Sequence, residues 1–438
     1  GGPVPLYTPE FAADPHAYYA YLRHFGPTAP VELSPGVPAT LVTDYTAALE
    51  LLQSPGAFAK DSRRWRDLKE GRISPDSPVL PLLMHRPNCM FSDGAEHLHL
   101  RQAVTDSLAR VDSHRLSRNV ERVAQYLISQ FSTRGSVDLL NDYAKPLPLF
   151  VFNELFGCPA EIGDRVMFGI SGIFDGINAE QANEVLVQAV SELVALKRTK
   201  PGDDVTSWLM QHQAGLDDEE MAHQLVLLLG AGAEPLRNLV ANTLHLVLTD
   251  DRFARSGLVD EALDDTLWHN PPMSNYAPHF PVSDMEFAGQ KLSEGDLVLV
   301  SFAAANASSA QAAPGHTASR AHLSWSAGPH ACPSKEPARL ITVSAIEHLL
   351  NELPDVELAV PPESLSWRPG PFNRALAALP ARFSPLRAPQ PAEPAPERST
   401  AGGSGSGSGG SGSGGSGSGA GRQERTGLWS SFLSWLKG

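Results

Sequence analysis

Over the first 385 residues apolar positions recur mostly at helical spacing, with short apolar or alternating runs scattered between them. The longest helical pattern begins at Asp217. DDEEMAHQLVLLLGAGAEPLRNLVANTLHLVL opens with four acids, which suit the positive end of a helix, and stays apolar for over twenty residues. A helix apolar on most sides has to be buried, so this one is expected to cross the middle of the fold. Gly230, Gly232 and Pro235 interrupt it where helix formers would be expected. Either the proline kinks the helix by removing a backbone donor, or the helix widens locally where a ligand lies against its backbone. Strand signals are short: PATLVT near residue 40, MEFAGQKL and LVLVSF between 285 and 302, and a last pair between 355 and 384. The pattern predicts one large α+β domain, mainly α-helical, with small antiparallel sheets.

The pattern stops near Pro385. Residues 386–401 are rich in proline and glutamate, a composition that cannot bury enough surface to offset the entropy of ordering. From Gly402 to Gly419 the chain is glycine and serine alone, and with its margins (402–421) it reads as an engineered flexible tether. Residues 422–438 change character again, with Leu428, Trp429, Phe432, Leu433, Trp435 and Leu436 crowded into nine positions. The expected organisation is therefore a folded domain over 1–385, a disordered stretch, a tether and an attached peptide.

Composition narrows the partners. With 34 basic against 49 acidic side chains the net charge is −15, which argues against nucleic-acid binding through bulk positive charge. The three cysteines, Cys89, Cys158 and Cys332, make neither a disulfide framework nor a four-cysteine zinc site, so a reducing, cytoplasmic setting is expected. No apolar run approaches the 18 residues of a membrane span, and the N-terminus has no signal-peptide pattern.

The most informative segment is HLSWSAGPHACPSKEPARLITVSAIEHLL. Ser326–Pro329 reads as a turn, Cys332 follows, and a helix is expected from about Glu336. A cysteine held in a tight loop before a helix N-terminus meets backbone N–H groups that favour thiolate, as an axial iron ligand requires. A buried, inert cysteine is the simpler alternative. His97 and Arg101 lie one helical turn apart and could grip a carboxylate together, although such a pair is more often plain surface.

WSAGPHACPS resembles the haem-binding loop of the cytochrome P450 superfamily, with Trp325, Gly328 and His330 standing seven, four and two residues before Cys332. Trp325 replaces the usual phenylalanine, and Ser334 a glycine. The resemblance extends over residues 4–385 and implies the P450 fold, with its long central helix over haem b (iron protoporphyrin IX), Cys332 as metal ligand and O2 as oxidant. It implies that His97, Arg101 and His279 contact the propionates, and that Ala231, Gly232 and Glu234 form the oxygen-handling segment. Pro235 stands there in place of the family's threonine. In DDTLWHNPPM, Asp265 and Trp268 replace the family's Glu and Arg, so the usual core ion pair cannot form, and Arg320 is a candidate substitute. Met84, Met90, Leu227 and Ala231 are expected to approach substrate. Electrons are expected from a ferredoxin and its reductase, docking on a basic face of His322, Lys335 and Arg339; a monomer, without nucleic-acid or membrane partners, is expected.

A tether of this composition spans roughly 21–25 Å on average, reaches about 60 Å at most, and holds a weak ligand at millimolar local concentration. The tail therefore reads as a substrate: the precursor of a ribosomally made peptide whose aromatic side chains are oxidatively crosslinked, Trp429 and Trp435 being the preferred pair and Phe432 an anchor. The missing threonine fits a reaction that removes hydrogens without inserting oxygen. Two alternatives stand beside it: hydroxylation of a small natural product, and a non-catalytic haem-binding interaction or sensor protein. As an amphipathic helix, the tail could instead bind a partner groove or a membrane surface.

Overall fold

The computed structural model describes residues 2–175, 178–253, 257–309, 319–387 and 427–437. The Pro-rich stretch from 388, the Gly/Ser tether and residues 422–426 lie outside the described residues.

Nine longer helices matter for the site: α1 (Gly94–Leu108), α2 (Ser113–Ser129), α3 (Pro146–Leu155), α4 (Ala160–Asp175), α5 (Ala179–Thr199), α6 (Asp218–Thr249), α7 (Val259–His269), α8 (Lys335–Glu352) and α9 (Leu428–Leu436). α6 is the expected central helix, packed on α3, α4, α5, α7 and α8. Its acidic opening closes a capping box: Asp217 Oδ1 accepts from the Glu220 backbone N–H at 2.8 Å, and Glu220 Oε2 accepts from the Asp217 N–H at 2.9 Å. The helix stays α-helical from Gly230 through Pro235, so of the two readings the local widening is not formed. One π-helical turn lies elsewhere, at Leu140–Ala144.

All the anticipated strands form. PATLVT supplies Pro38–Val42, MEFAGQKL the hairpin Met285–Phe287/Gln290–Leu292, LVLVSF the strand Val298–Ser301, and the last pair Glu357–Leu358 and Pro380–Arg382. The expectation of purely antiparallel sheets is corrected. Val298–Ser301 runs parallel to Pro38–Val42, in the register Leu41 opposite Leu299, and Val4–Pro5 runs parallel to Val31–Glu32. These strands sit in one six-stranded sheet whose residues Leu41, Leu299 and Phe280 are fully buried in a second core, beside the large helical one.

Candidate functional site

Cys332 follows a short turn and stands three residues before α8. The loop is held from within and from outside. The Cys332 N–H donates to the Trp325 carbonyl at 2.8 Å, and the Trp325 ring packs on Leu239, Leu263 and Leu267. Arg101 reaches across from α1, donating to the carbonyls of Pro329 (3.3 Å) and Ala331. Gly328 has φ +71°, and a Cβ there would stand 2.1 Å from the Leu52 carbonyl oxygen, so both conformation and space demand glycine. Ser334, where the resemblance expects glycine, has φ −113°, an ordinary conformation for any residue. Burial pushes the Cys332 thiol up; the backbone at Ser334 and the charge of Arg101 act the other way but do not prevail. Burial thus opposes the thiolate that helix-end electrostatics favours, and a metal cation bound to the sulfur would act on the thiolate's side.

Beside the loop, basic groups gather with little to neutralise them. His97 is buried, and its ring lies against that of His330 with centroids 3.9 Å apart. His279 is buried, its Nδ1 within 2.6 Å of the Ala277 carbonyl. Sequence reasoning missed a fourth member, Lys60, which is buried and donates from Nζ to the Pro278 carbonyl at 2.8 Å. Burial drives its ammonium down to about 7, and the charges of Lys60 and Arg101 both act on His330. Burial likewise holds His97, His279 and His330 below the usual histidine range. The neighbouring carboxylate, Asp93, accepts from the backbone N–H groups of Lys60 and Asp61 at 2.9–3.0 Å. Two buried nitrogens of the region, His97 Nε2 and Trp325 Nε1, have no hydrogen-bond partner among the described residues. A cluster of basic side chains and orphaned ring nitrogens around a single cysteine, able to gain charge when an anion arrives, fits a ligand carrying two carboxylates and a thiolate-seeking metal, as haem does.

No family model matches the chain. It is 31% identical over 395 residues to the cytochrome P450 monooxygenase PikC of Streptomyces venezuelae, covering 85% of this chain and 92% of that protein. The chain belongs to the cytochrome P450 superfamily. Among solved P450 structures, CYP154C4 from Streptomyces sp. W2061 aligns with a TM-score of 0.78 at 28% identity, over 88% of this chain and 99% of that one. CxnD, the P450 for C–S bond formation in chuangxinmycin biosynthesis, aligns at 0.75 and 26% identity, over 88% and 98%. The protein is thus a P450 oxidoreductase of the haem-thiolate type.

Its departures from the P450 pattern can now be placed. The missing core ion pair is rebuilt one residue earlier and from another helix: Asp264 Oδ1 accepts from buried Arg339 of α8 at 2.5 Å, and Asp260 from the same guanidinium at 2.6 Å. Arg320, the sequence candidate, also pairs with Asp260 and Asp264, at 2.6 and 3.2 Å, but from a side chain about half exposed. Asp265 instead faces Arg252 and His269. Trp268 is fully buried, donates its indole N–H to the Ser319 carbonyl at 2.7 Å and meets His322 edge-on. The proposed basic docking face is corrected on the same evidence of burial. Arg339 is neutralised inside the core and His322 is buried, its imidazole held down to about 4 by that burial, which leaves Lys335 alone of the three.

On the central helix, Ala231 keeps an exposed face in the middle of the fold and Leu227 is part-buried, as positions beside a substrate would be. Gly232 is not such a position: a Cβ there would stand 2.9 Å from the Phe152 ring, so its missing side chain is used by a neighbouring helix. Glu234 is buried and already engaged, its Oε1 accepting from Arg237 at 2.8 Å and Asn238 at 3.2 Å, with Arg368 at 3.6 Å. Met84 is exposed, and the Met90 sulfur lies 3.8 Å from the Tyr276 hydroxyl.

The tail supplies the site that sequence reasoning did not locate. Residues 428–436 form the helix α9, which packs on α4. Trp429 and Phe432 are fully buried, while Trp435 remains 39% exposed. The Trp429 indole donates to the Cys158 carbonyl at 3.1 Å, and Phe432 lies between Tyr126 and Phe150, with centroids 5.2 and 5.4 Å away. Phe432, expected as an anchor, and Trp429, expected to react, are both enclosed. The polar and aromatic partners of Trp429 and Phe432 belong to α2, α3, α4 and the turn before α4, or to α9 itself; Cys332 and Glu234 are not among them.

Proposed function

We propose that this P450 binds haem b through Cys332 and oxidatively joins aromatic side chains of a ribosomally made precursor peptide, represented here by the tethered tail. The observation that carries the reading is the fitted packing of α9 on the P450 body, which is hard to reconcile with an inert appendage. Thiolate-ligated haem, when bound, supplies the activation of dioxygen and the oxidation of substrate. His97, Arg101, His279 and His330 would hold its propionates, joined by Lys60. Joining two rings breaks two bonds to hydrogen and forms one bond between rings. The two substrate electrons, two further electrons from a ferredoxin and its reductase, and four protons convert O2 to two waters. Without a threonine beside it, Glu234 is the carboxyl within the interrupted segment of the central helix, and Arg237 and Asn238 fix where it points. Trp429 and Trp435 are the candidate pair, since indole is the most readily oxidised ring in the tail. We place the enzyme in the cytoplasm as a monomer.

A second reading, hydroxylation of a small natural product, is favoured by the open face at Ala231 and by similarity to PikC. Intact-mass analysis of the tail after turnover with a ferredoxin system separates the two. Crosslinking removes two hydrogens and leaves a fragment containing both tryptophans. An unmodified tail, with one oxygen gained by an added small molecule, selects the second reading.

A further inference from the structure

We infer that the face formed by α2, α3 and α4 is a recognition seat for a helical peptide, separate from the haem site, and that it takes the Leu-Trp-Ser-Ser-Phe segment of a precursor peptide as a free molecule as well as the tethered tail. The inference rests on the reading of the tail as peptide substrate.

Both sides of the contact are shaped for each other. Gly163 lies inside α4, where glycine costs roughly 0.5–1 kcal/mol relative to alanine. A Cβ there would stand 2.2 Å from Trp429 Cδ1, so the indole fills the space that the missing side chain leaves. The next residue, Asp164, caps the incoming helix. Its carboxylate accepts from the backbone N–H groups of Trp429 (2.7 Å) and Ser430 (3.3 Å) and from the Ser430 hydroxyl. The first turn of α9 needs this, because its own N-cap residue, Gly427, carries no side chain. Gly427 leaves room for this cap: a Cβ there would stand 2.1 Å from the Asp164 carboxyl carbon and would push that side chain aside. Asn153 steadies the seat from α3, donating to the Gly163 carbonyl at 3.1 Å. Trp429 and Phe432 supply the apolar anchoring, and a carboxylate at the helix N-terminus adds direction.

A peptide held in this way has Trp429 closed and Trp435 open. Recognition and oxidation of Trp429 are therefore successive events: the seat concentrates the peptide on the enzyme, and the indole must leave before it can react.

Hydrogen exchange followed by mass spectrometry on the full-length haem-loaded chain tests the seat. Amides of residues 428–436 are expected to be protected. Gly163→Ala, which overpacks the seat, is expected to accelerate their exchange by about tenfold or more, and Asp164→Ala by about fivefold. Trp429→Ala, a change outside the P450 body, is expected to release the tail equally, which guards against misreading a folding defect. Free GLWSSFLSWLKG added to the Trp429→Ala chain is expected to protect residues 160–170 saturably. Unprotected amides at 428–436 in the parent chain, a tail indifferent to Gly163→Ala and Trp429→Ala, or no protection by the free peptide would each overturn the seat. The mass of the tail after turnover reports separately on the chemistry. A protected but unmodified tail keeps the seat and removes peptide oxidation, whereas a modified but unprotected tail does the reverse.

Discussion

The cysteine loop and the tail seat are both built from buried polar and aromatic groups, yet they differ in how well those groups are satisfied. Around the loop, His97 Nε2 and Trp325 Nε1 are buried without partners, and Lys60 has its charge suppressed by burial. At the seat, Trp429 contributes two N–H groups and Ser430 an N–H and a hydroxyl, and all four are matched to acceptors. Buried polar groups are nearly always paired in a finished structure. The unpaired nitrogens beside the cysteine stand where a ligand would be received, and the paired N–H and hydroxyl groups of Trp429 and Ser430 show a contact whose occupant is in place, although Asn153 Oδ1 and Arg165 Nε on the enzyme side of the seat are also buried without partners. The difference separates a site suited to receive a cofactor from a seat that the chain's own tail fills.

The largest expected effect breaks the first half of that contrast. Cys332→Ser removes the thiolate, and the reduced carbon monoxide complex should lose the red-shifted Soret band that thiolate ligation confers, with oxidation of any substrate abolished. Retention of that band would place the iron ligand elsewhere. The tail should stay seated in this variant, because its partners lie on α2 to α4, and exchange at residues 428–436 checks that independence.

Next in size is the rebuilt core ion pair. Arg339→Leu leaves the Asp264 carboxylate buried with only the half-exposed Arg320 for company. Stranding a buried charge costs about 3–5 kcal/mol, and Arg320 should hold the loss near the lower figure. Arg320→Ala should cost no more than about 1 kcal/mol. Denaturant midpoints of the two variants test the ranking, and equal losses would show that the two arginines share the pair evenly.

These two sites also show what a sequence can and cannot disclose. Cys332, Trp325, Gly328 and His330 were legible because one loop carries them at fixed spacing, and the central helix because its acids and apolar run are contiguous. Arg339 was legible as a basic residue but was assigned to the surface. Its partner, Asp264, is 75 residues away, and only packing of α7 on α8 brings them together. Lys60 was missed for the same reason, lying far along the chain from Pro278 and the three histidines. Gly163 and Asp164 give no local signal at all. A glycine followed by an aspartate inside a helix means nothing until an indole and a helix N-terminus arrive from more than 260 residues downstream.

A smaller, pH-dependent effect sharpens the account of the cofactor site. In the haem-free chain burial lowers the Lys60 ammonium from its ordinary 10.5 to about 7, against the opposing pull of Asp93. Between these values the unfolded chain holds a proton that the folded chain has released. Lys60 thus makes stability rise as pH increases from about 7 to 10.5, by on the order of a few kcal/mol. His97, His279 and His330 face the same region but are held below the usual histidine range and stay neutral throughout this window. Lys60→Met should flatten the rise, and propionates placed beside Lys60 should do the same by restoring its charge. Thermal unfolding of the haem-free and haem-loaded chains from pH 7 to 9.5 measures both. An unchanged slope in Lys60→Met would remove Lys60 from the account.

The smallest expected effect lies two residues past the cysteine. The glycine usual in the family at that position suggests that Ser334 damages the loop, but its φ of −113° lies outside the left-handed region that favours glycine. Ser334→Gly should therefore restore nothing: the carbon monoxide spectrum should be unmoved, and stability should fall by no more than about 1 kcal/mol through the added freedom of the unfolded chain. Gly328→Ala is the control from the same loop. There φ is +71° and the new methyl would overlap the Leu52 carbonyl, so the loop must shift and the spectrum with it. If Ser334→Gly instead strengthened the thiolate band, the loop would be strained at Ser334, and the departure from the family pattern would be a real defect and not a tolerated substitution.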